Sequence, residues 1–225
     1  MKILALEFSS TQRSVAVVEG GTCNVPAVLG QVAEAGGRAG RTLGLIEDVL
    51  KLARLEREQI ECLVIGLGPG SYNGIRAAIA VAQGWQLALG TKILGIGSAE
   101  CLAAQAQEQR CSGKINIVID AQRKEFYLAG YEINDRVRRE LEPLRLASLG
   151  EVEGRMKTGE MVVGPEVKRW FPDSREIFPS AALLGRLAVN RSDYVSGERL
   201  EPIYLRESAF VKAPPPRMIP SIPAA

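Results

Sequence analysis

Short apolar runs and longer amphipathic stretches alternate along this chain, and the two kinds of period mark out its elements. Lys2-Ile3-Leu4-Ala5-Leu6-Glu7 is an apolar run ending in an acid. The polar turn Phe8 to Arg13 follows, then the β-branched run Ser14-Val15-Ala16-Val17-Val18. The same order returns at Asn116-Ile117-Val118-Ile119-Asp120, a polar turn Ala121 to Glu125, and Phe126 to Tyr131. Short runs rich in β-branched and aromatic residues predict strands. Each half therefore opens with a hairpin, and the chain reads as a duplicated lobe.

In the first half the pattern continues with a strand near Val25 to Glu34, a helix from about Thr42 to Leu55, and a buried strand Cys62-Leu63-Val64-Ile65. A long helix over Tyr72 to Leu89, a strand Ile93 to Ile96 and a helix near Ser98 complete it. Ser98 serves as N-cap, with Glu100 in the first turn. The second half is thinner. Its strands reach Leu146, Met161 to Gly164 adds one more, and Ala181 to Asn190 is the only strong helical pattern after residue 146. We expect a first lobe over 1–110, a reduced second lobe over 111–213, and a disordered tail over 214–225, where five prolines fall in twelve residues.

Both first-lobe helices are more apolar than one packed face requires. Leu43, Ile46 and Leu50 belong to a helix whose polar stripe is narrow, and Ala77, Ala80, Gly84 and Leu87 repeat along one line of the next helix. That line faces away from Ile75, Ile79 and Ala82, and from Ala78, Val81 and Trp85. Small residues on one stripe let another helix approach closely, and Gly84 in mid-helix costs about 1 kcal/mol relative to Ala. These seven residues are the expected partner interface; the alternative is burial within their own lobe.

The segment Gly66 to Arg76 (GLGPGSYNGIR) joins the buried strand to the long helix. Gly68, Gly70, Ser71 and Gly74 can serve as a tight turn that docks the helix, or as an anion cradle at its N-terminus. No Lys-Ser or Lys-Thr pair closes it as in a P-loop, and its glycine spacing is not that of a dinucleotide fingerprint. Two lobes with facing hairpins across a cleft is the pattern of the actin, Hsp70 and sugar-kinase superfamily, here α/β duplicated lobes of ribonuclease H-like type with the second reduced. That analogy carries fold and not function. Glu7, Ser9, Ser10 and Asp120 occupy the phosphate-facing positions. One carboxylate per lobe suits metal-assisted phosphoryl transfer, or each acid accepts hydrogen bonds from its own turn. We read them as degenerate, with no metal bound.

The 225 residues carry 28 Lys+Arg against 26 Asp+Glu, split 10 to 10 over residues 1–110 and 18 to 16 beyond. Neither half has the basic footprint of a nucleic-acid binder. Arg136, Arg138, Arg139 and Arg145 interleave with Glu140 and Glu142 as a solvated hairpin edge. The chain has no histidine, which excludes Ser-His-Asp and Cys-His catalysis and His-ligated zinc. Cys23, Cys62, Cys101 and Cys111 lack CxxC spacing and read as reduced thiols of a cytoplasmic protein, three of them in apolar settings. The opening apolar run is too short for a signal peptide, and no run is long enough to span a membrane.

In wording and placement the Gly66 to Arg76 segment resembles the GPGSFTGxR block of the bacterial tRNA threonylcarbamoyladenosine biosynthesis family TsaB, also called YeaZ. Met1 to Ser10 (MKILALEFSS) is similar to that family's opening strand and loop. Leu94 to Ala103 resembles its Ser-x-Glu helix start, Ile117 to Tyr131 its IDARRxEVY block, and Pro202 to Arg206 its P-x-Y-L-R ending. Two positions depart: Glu7 replaces the usual Asp, and Arg38 stands where a His is common. The resemblance implies a cytoplasmic, non-catalytic subunit that activates the catalytic paralogue TsaD, works with the ATPase TsaE, and forms a homodimer when alone. It implies only indirect contact with tRNA and no cofactor beyond weak ATP or ADP binding. The alternative is a small ATPase or kinase of the superfamily using Glu7 and Asp120.

Overall fold

The computed structural model describes residues 1–21, 25–36 and 41–205. Cys23, Arg38, Arg206 and the tail 214–225 lie outside the described residues. β1 (Lys2–Glu7), β2 (Gln12–Glu19) and β3 (Ala27–Ala35) form an antiparallel meander. α1 (Thr42–Ala53) leads to β4 (Cys62–Gly66), which pairs parallel to β1. α2 (Tyr72–Leu89) leads to β5 (Lys92–Ile96), parallel to β4. The sheet order is β3-β2-β1-β4-β5.

α3 (Ser98–Glu108) crosses to the second sheet. There β6 (Gly113–Asp120), β7 (Glu125–Ile133) and β8 (Arg138–Ser148) repeat the meander, and α4 (Leu149–Lys157) connects to β9 (Met161–Gly164), parallel to β6. β10 (Arg175–Glu176) completes the order β10-β9-β6-β7-β8. The two orders are the same when read from the meander outward, so the duplication expected from the repeated hairpins is real: this is the α/β fold of the actin, Hsp70 and sugar-kinase superfamily. The second lobe is the reduced one. Between β9 and β10 stands only a single 3-10 turn, Val167–Arg169, where the first lobe has the long α2.

The inner strands are buried on both faces, which is why they read as continuous apolar runs. Leu4, Leu6, Val15 and Val17 pack with α1 and α2 through Leu45, Ile46, Val49, Ile75 and Ile79. Ile3, Ala5, Ala16 and Val18 face the other way, onto α5 (Ala181–Ala188). Gly185 lets α5 approach β2, since a Cβ there would lie 2.6 Å from Val18 Cγ2. Ser14, buried in β2, accepts the first backbone N–H of α5, from Ala181, at 2.9 Å. The expected second lobe, 111–213, therefore returns its last helix to the first sheet. α3 lies between, with Cys101 and Ala104 on the first core and Leu102 and Ala106 on the second.

Two further elements differ from the sequence reading. α4 has no strong apolar period, because only Val152 of its nine residues is buried. Its start is nonetheless set by Ser148, whose hydroxyl accepts from Glu151 N at 3.3 Å. Ser98 is the first helical residue of α3, not its cap; Gly97 occupies the cap position. No helix among the described residues is long and apolar enough to cross a membrane.

Candidate functional site

Two concave places hold the residues singled out from the sequence. The first is a cleft of about 380 Å³ between the lobes, where the β1–β2 turn faces the β6–β7 turn. Ser9, Ser10, Gly70, Ser71, Tyr72, Asp120, Tyr127, Glu166 and Arg169 line it. Glu7 does not. Its side chain is fully buried, Oε1 accepts from Ser9 N at 2.8 Å, and Oε2 accepts from Ser98 Oγ at 3.0 Å. The carboxylate fills the space over Gly66, where a Cβ would lie 2.1 Å from Oε2. Burial pushes the Glu7 carboxyl above the ordinary range, against the hydrogen bonds from Ser9 and Ser98 that favour its ionised form. Glu7 is thus withdrawn from the phosphate-facing set in which the sequence placed it.

Asp120 stays at the cleft with both oxygens engaged. Oδ1 accepts from Gln122 N at 2.7 Å, and Oδ2 from the Trp170 indole at 3.4 Å. Each acid at the end of a lobe's first strand accepts the backbone N–H two residues on, so the duplication extends to the turn chemistry. Thr11 donates to Glu166 from the opposite lobe and ties the cleft's two sides together.

The glycine-rich loop presses against the β1–β2 turn. Ser71 N donates to Ser9 O at 2.6 Å, Ser98 N to Gly68 O at 2.7 Å, and Gly68 N to Ser98 Oγ at 3.2 Å. Ser71 caps α2 by accepting from Gly74 N at 3.3 Å. A Cβ on Gly70 would lie 2.0 Å from Ser9 O, and one on Gly74 2.1 Å from Phe8 O. Gly70 and Gly74 are needed for close backbone approach inside the lobe. Three backbone N–H groups that an anion cradle would offer are already used.

The second place is a groove of about 710 Å³ between α1 and α2. Ala77, Ala80, Val81, Gly84 and Trp85 form one wall, and Thr42, Leu43 and Ile46 the other. Leu43 and Leu87 are 63% and 90% exposed, and a Cβ on Gly84 would touch nothing within 4 Å. At Gly84 the small-residue stripe therefore meets no described residue of its own chain. Ile46 and Leu50 are corrections: at 1% and 5% exposure they belong to the lobe's core. Val81 and Trp85, read from the sequence as facing away from the small-residue line, are half-buried and line the groove beside it. The indole N–H of Trp85 is shielded from water and has no hydrogen-bond partner among the described residues. An aromatic at i+4 from Val81 was the available signal, obscured because α2 is apolar over most of its circumference.

Of the expected arginine edge, Arg139 pairs with Glu132 at 2.7 Å. Arg145, on the edge strand β8 with its side chain 38% exposed, does not stand free: it bridges Glu142 and Glu151, and Arg155 joins both acids to buried Asn116 at 2.8 Å. Cys62, Cys101 and Cys111 are buried free thiols, and burial pushes Cys62 up to about 12. Among the described residues, no group of three or more metal-ligating side chains gathers.

Comparison with known proteins places these features in context. The family model of TsaD, tRNA N6-adenosine threonylcarbamoyltransferase, matches residues 39–182. The Escherichia coli K12 protein named tRNA threonylcarbamoyladenosine biosynthesis protein TsaB is 26% identical, over 96% of this chain and 99% of that one. Its Haemophilus influenzae namesake is 25% identical, over 79% and 83%. The structure of YeaZ from Pseudomonas aeruginosa superposes with a TM-score of 0.74 at 25% identity, covering 91% of this chain and 99% of that one.

Proposed function

The chain belongs to the tRNA N6-adenosine threonylcarbamoyltransferase (TsaD) family, in its TsaB (YeaZ) form, and from that premise we propose that it is a non-catalytic subunit. As a TsaB-type chain it takes part in tRNA threonylcarbamoyladenosine biosynthesis. Its task is to bind the catalytic TsaD chain through α1 and α2 and hold that enzyme in a competent state, with TsaE as a further partner in the cytoplasm. Alone, it pairs with a second copy through the same face and touches tRNA only indirectly.

One observation carries this reading. Ala77, Ala80 and Gly84 line an open apolar groove that nothing described in the chain fills. Mid-helix glycine at an exposed position weakens the helix, and close helix–helix approach accounts for it. The second reading, a small ATPase or kinase, needs Glu7 in the cleft. That carboxylate is instead committed to Ser9, Ser98 and the space above Gly66. Weak ATP or ADP binding at Ser9, Ser10 and Asp120 is compatible with the subunit role.

The test is co-purification of the tagged chain with co-expressed TsaD, with and without Ala80→Arg plus Gly84→Arg. Burying two unpaired guanidinium groups costs several kcal/mol each, of order 3–5. The double variant should lose the complex at unchanged circular dichroism. Retention of the complex, or an unfolded variant, would remove the groove from the interface.

A further inference from the structure

We propose that a pocket of about 260 Å³ at the junction of the two sheets, apart from both the cleft and the α1–α2 groove, binds an uncharged cyclic polyol of monosaccharide size. This site is independent of the partner surface, with which it shares no lining residue.

Strand alternation puts Gln12 and Ser14 of β2 on the same face as Ala16 and Val18, and Ala16 pairs with Gln31 of β3. The apolar end of that face lies under α5. That helix begins only at Ala181, whose N–H donates to Ser14, so the polar end is left as the floor of the pocket. One wall is α3. Its Cys101 and Ala104 pack on the first core and its Leu102 and Ala106 on the second. Gln105 and Gln109, one helical turn apart, are left to face the junction between them. The segment from Glu176 to Ser180, leading from β10 into α5, forms the other wall. An occupant therefore touches the first sheet at β2 and the second at β10.

The fold does not use up the hydrogen-bonding groups gathered there. Gln105 Oε1 is shielded from water and has no donor among the described residues, and a buried acceptor of this kind calls for a ligand or an ordered water. Gln31 donates to Ser180 Oγ at 3.4 Å, and Gln109 Oε1 accepts from Arg175 at 3.2 Å. The Gln31 carbonyl and the Gln109 amide hydrogens keep no partner among the described residues. Each carboxamide sets an acceptor beside two donors, and each serine hydroxyl both donates and accepts. Adjacent ring hydroxyls, which donate and accept in turn, match such a lining. No Lys or Arg lines the pocket while Glu176 does, so a phosphate ester is disfavoured. Half-buried Phe178 offers an apolar surface to the C–H face of a sugar ring. The volume falls just below the roughly 300–1,000 Å³ of drug-sized sites, which limits the occupant to about one ring.

The test titrates the full chain with D-glucose, D-ribose and myo-inositol, with glycerol and the monophosphate of whichever ring binds as comparisons. The readouts are the ¹⁵N NMR signals of the Gln105 side-chain amide and the Ser180 backbone amide. The Trp170 indole reports on the cleft. A ligand of about twelve non-hydrogen atoms at ordinary efficiency binds with a Kd of about 1–3 mM. At least one of the three rings should move both amide signals saturably in that range and leave the indole in place. Its monophosphate should bind about tenfold more weakly or worse. Gln105→Leu exchanges the unmet oxygen for an apolar group of similar size, so the fold is retained. Read at Ser180, it should weaken binding about tenfold or more, and Gln12→Leu gives the same reading from β2. Signals that none of the rings moves overturn the proposal and leave water as the occupant. Shifts that glycerol equals, or that survive unchanged in both leucine variants, overturn it as well. Tighter binding of the monophosphate would overturn the uncharged class.

Discussion

The carboxylate of Glu7 lies over the bare Cα of Gly66, close enough that a Cβ at Gly66 would stand 2.1 Å from Oε2. The longer acid at the end of β1 and the missing side chain at the end of β4 are two halves of one packing solution. Gly66→Ala should cost about 1–3 kcal/mol of stability, the usual range for overpacking a core. Glu7→Ala in the same chain should recover part of that loss, so a double-mutant cycle followed by denaturant unfolding will give a coupling of about 0.5 kcal/mol or more. Additive losses would show that the two residues do not share the space.

Titration of Glu7 gives a second prediction. Burial raises its folded-state pKa above the ordinary glutamate value, so the folded chain favours the protonated acid more than the unfolded chain does. The stability this contributes is fully present below the unfolded pKa and is lost as pH rises through the folded one. Relative to Glu7→Gln, the native chain should lose about 1.4 kcal/mol per pH unit within that window and change little outside it. Chemical unfolding of both proteins from pH 4 upward measures the slope, and a pH-independent difference would contradict it.

Gly70 and Gly74 hold α2 against the β1–β2 turn, and both would drive a Cβ into a backbone carbonyl oxygen. Gly70 also has φ +147°, in a region side chains rarely adopt. Gly74→Ala and Gly70→Val should each lower the Tm, at about 2–4 °C per kcal/mol lost for a chain of this size. A calorimetric scan that finds no change, together with loss of nucleotide affinity, would assign the loop to ligand binding.

On α1, Leu43 is 63% exposed and Ile46 only 1%. Ile46→Ala should destabilise the fold by about 2–5 kcal/mol. Leu43→Ala should leave the unfolding midpoint within about 0.5 kcal/mol of the parent while weakening capture of TsaD. Equal effects of the two changes on stability would place Leu43 in the core.

Arg155 joins two sheet strands and a helix by bonding Asn116, Glu142 and Glu151. Asn116 is 1% exposed, so Arg155→Ala leaves a buried amide oxygen unpaired at a cost of about 1–3 kcal/mol. Burial works against ionisation of Glu142, but hydrogen bonds from Arg155 and Arg145 outweigh it and hold its carboxyl below the usual range. That contribution is present above the unfolded pKa and fades as pH falls through the folded one. The stability difference between the native chain and Arg155→Ala should therefore narrow on acidification through the carboxylate range, leaving the pH-independent Asn116 part, the reverse of the trend for Glu7. Urea unfolding midpoints of the two proteins across pH 3 to 7 check it.

The elements that proved easiest to read were those buried on both sides or framed by strong caps. α2 spans Tyr72–Leu89 as expected, because Ser71 caps its start and Gly90, with φ +67°, ends it. α4 was illegible by period: one buried residue makes no stripe, and the only signal was Ser148 followed three places later by Glu151. Counting apolar residues could not sort Leu43 from Ile46 and Leu50, since a helix apolar around most of its surface has no unique inward face. Glu7 was misplaced because its direction depends on Gly66 and Ser98, which reach it only through the fold. The apolar pattern of α5 predicted a helix, but not the sheet it would cover.

That destination has a consequence for the chain during synthesis. Ile3, Ala5, Val64 and Leu94 are finished early, yet the helix that covers them spans Ala181–Ala188. On the ribosome, where folding ordinarily proceeds from the N-terminal domain onward, the first sheet must wait with that apolar face covered only in part, by Cys101 and Ala104 of α3. The rest of the face stays open while the whole second sheet is being translated. The emerging half is therefore the stage at which a chaperone, or premature association with another nascent chain, would find its foothold.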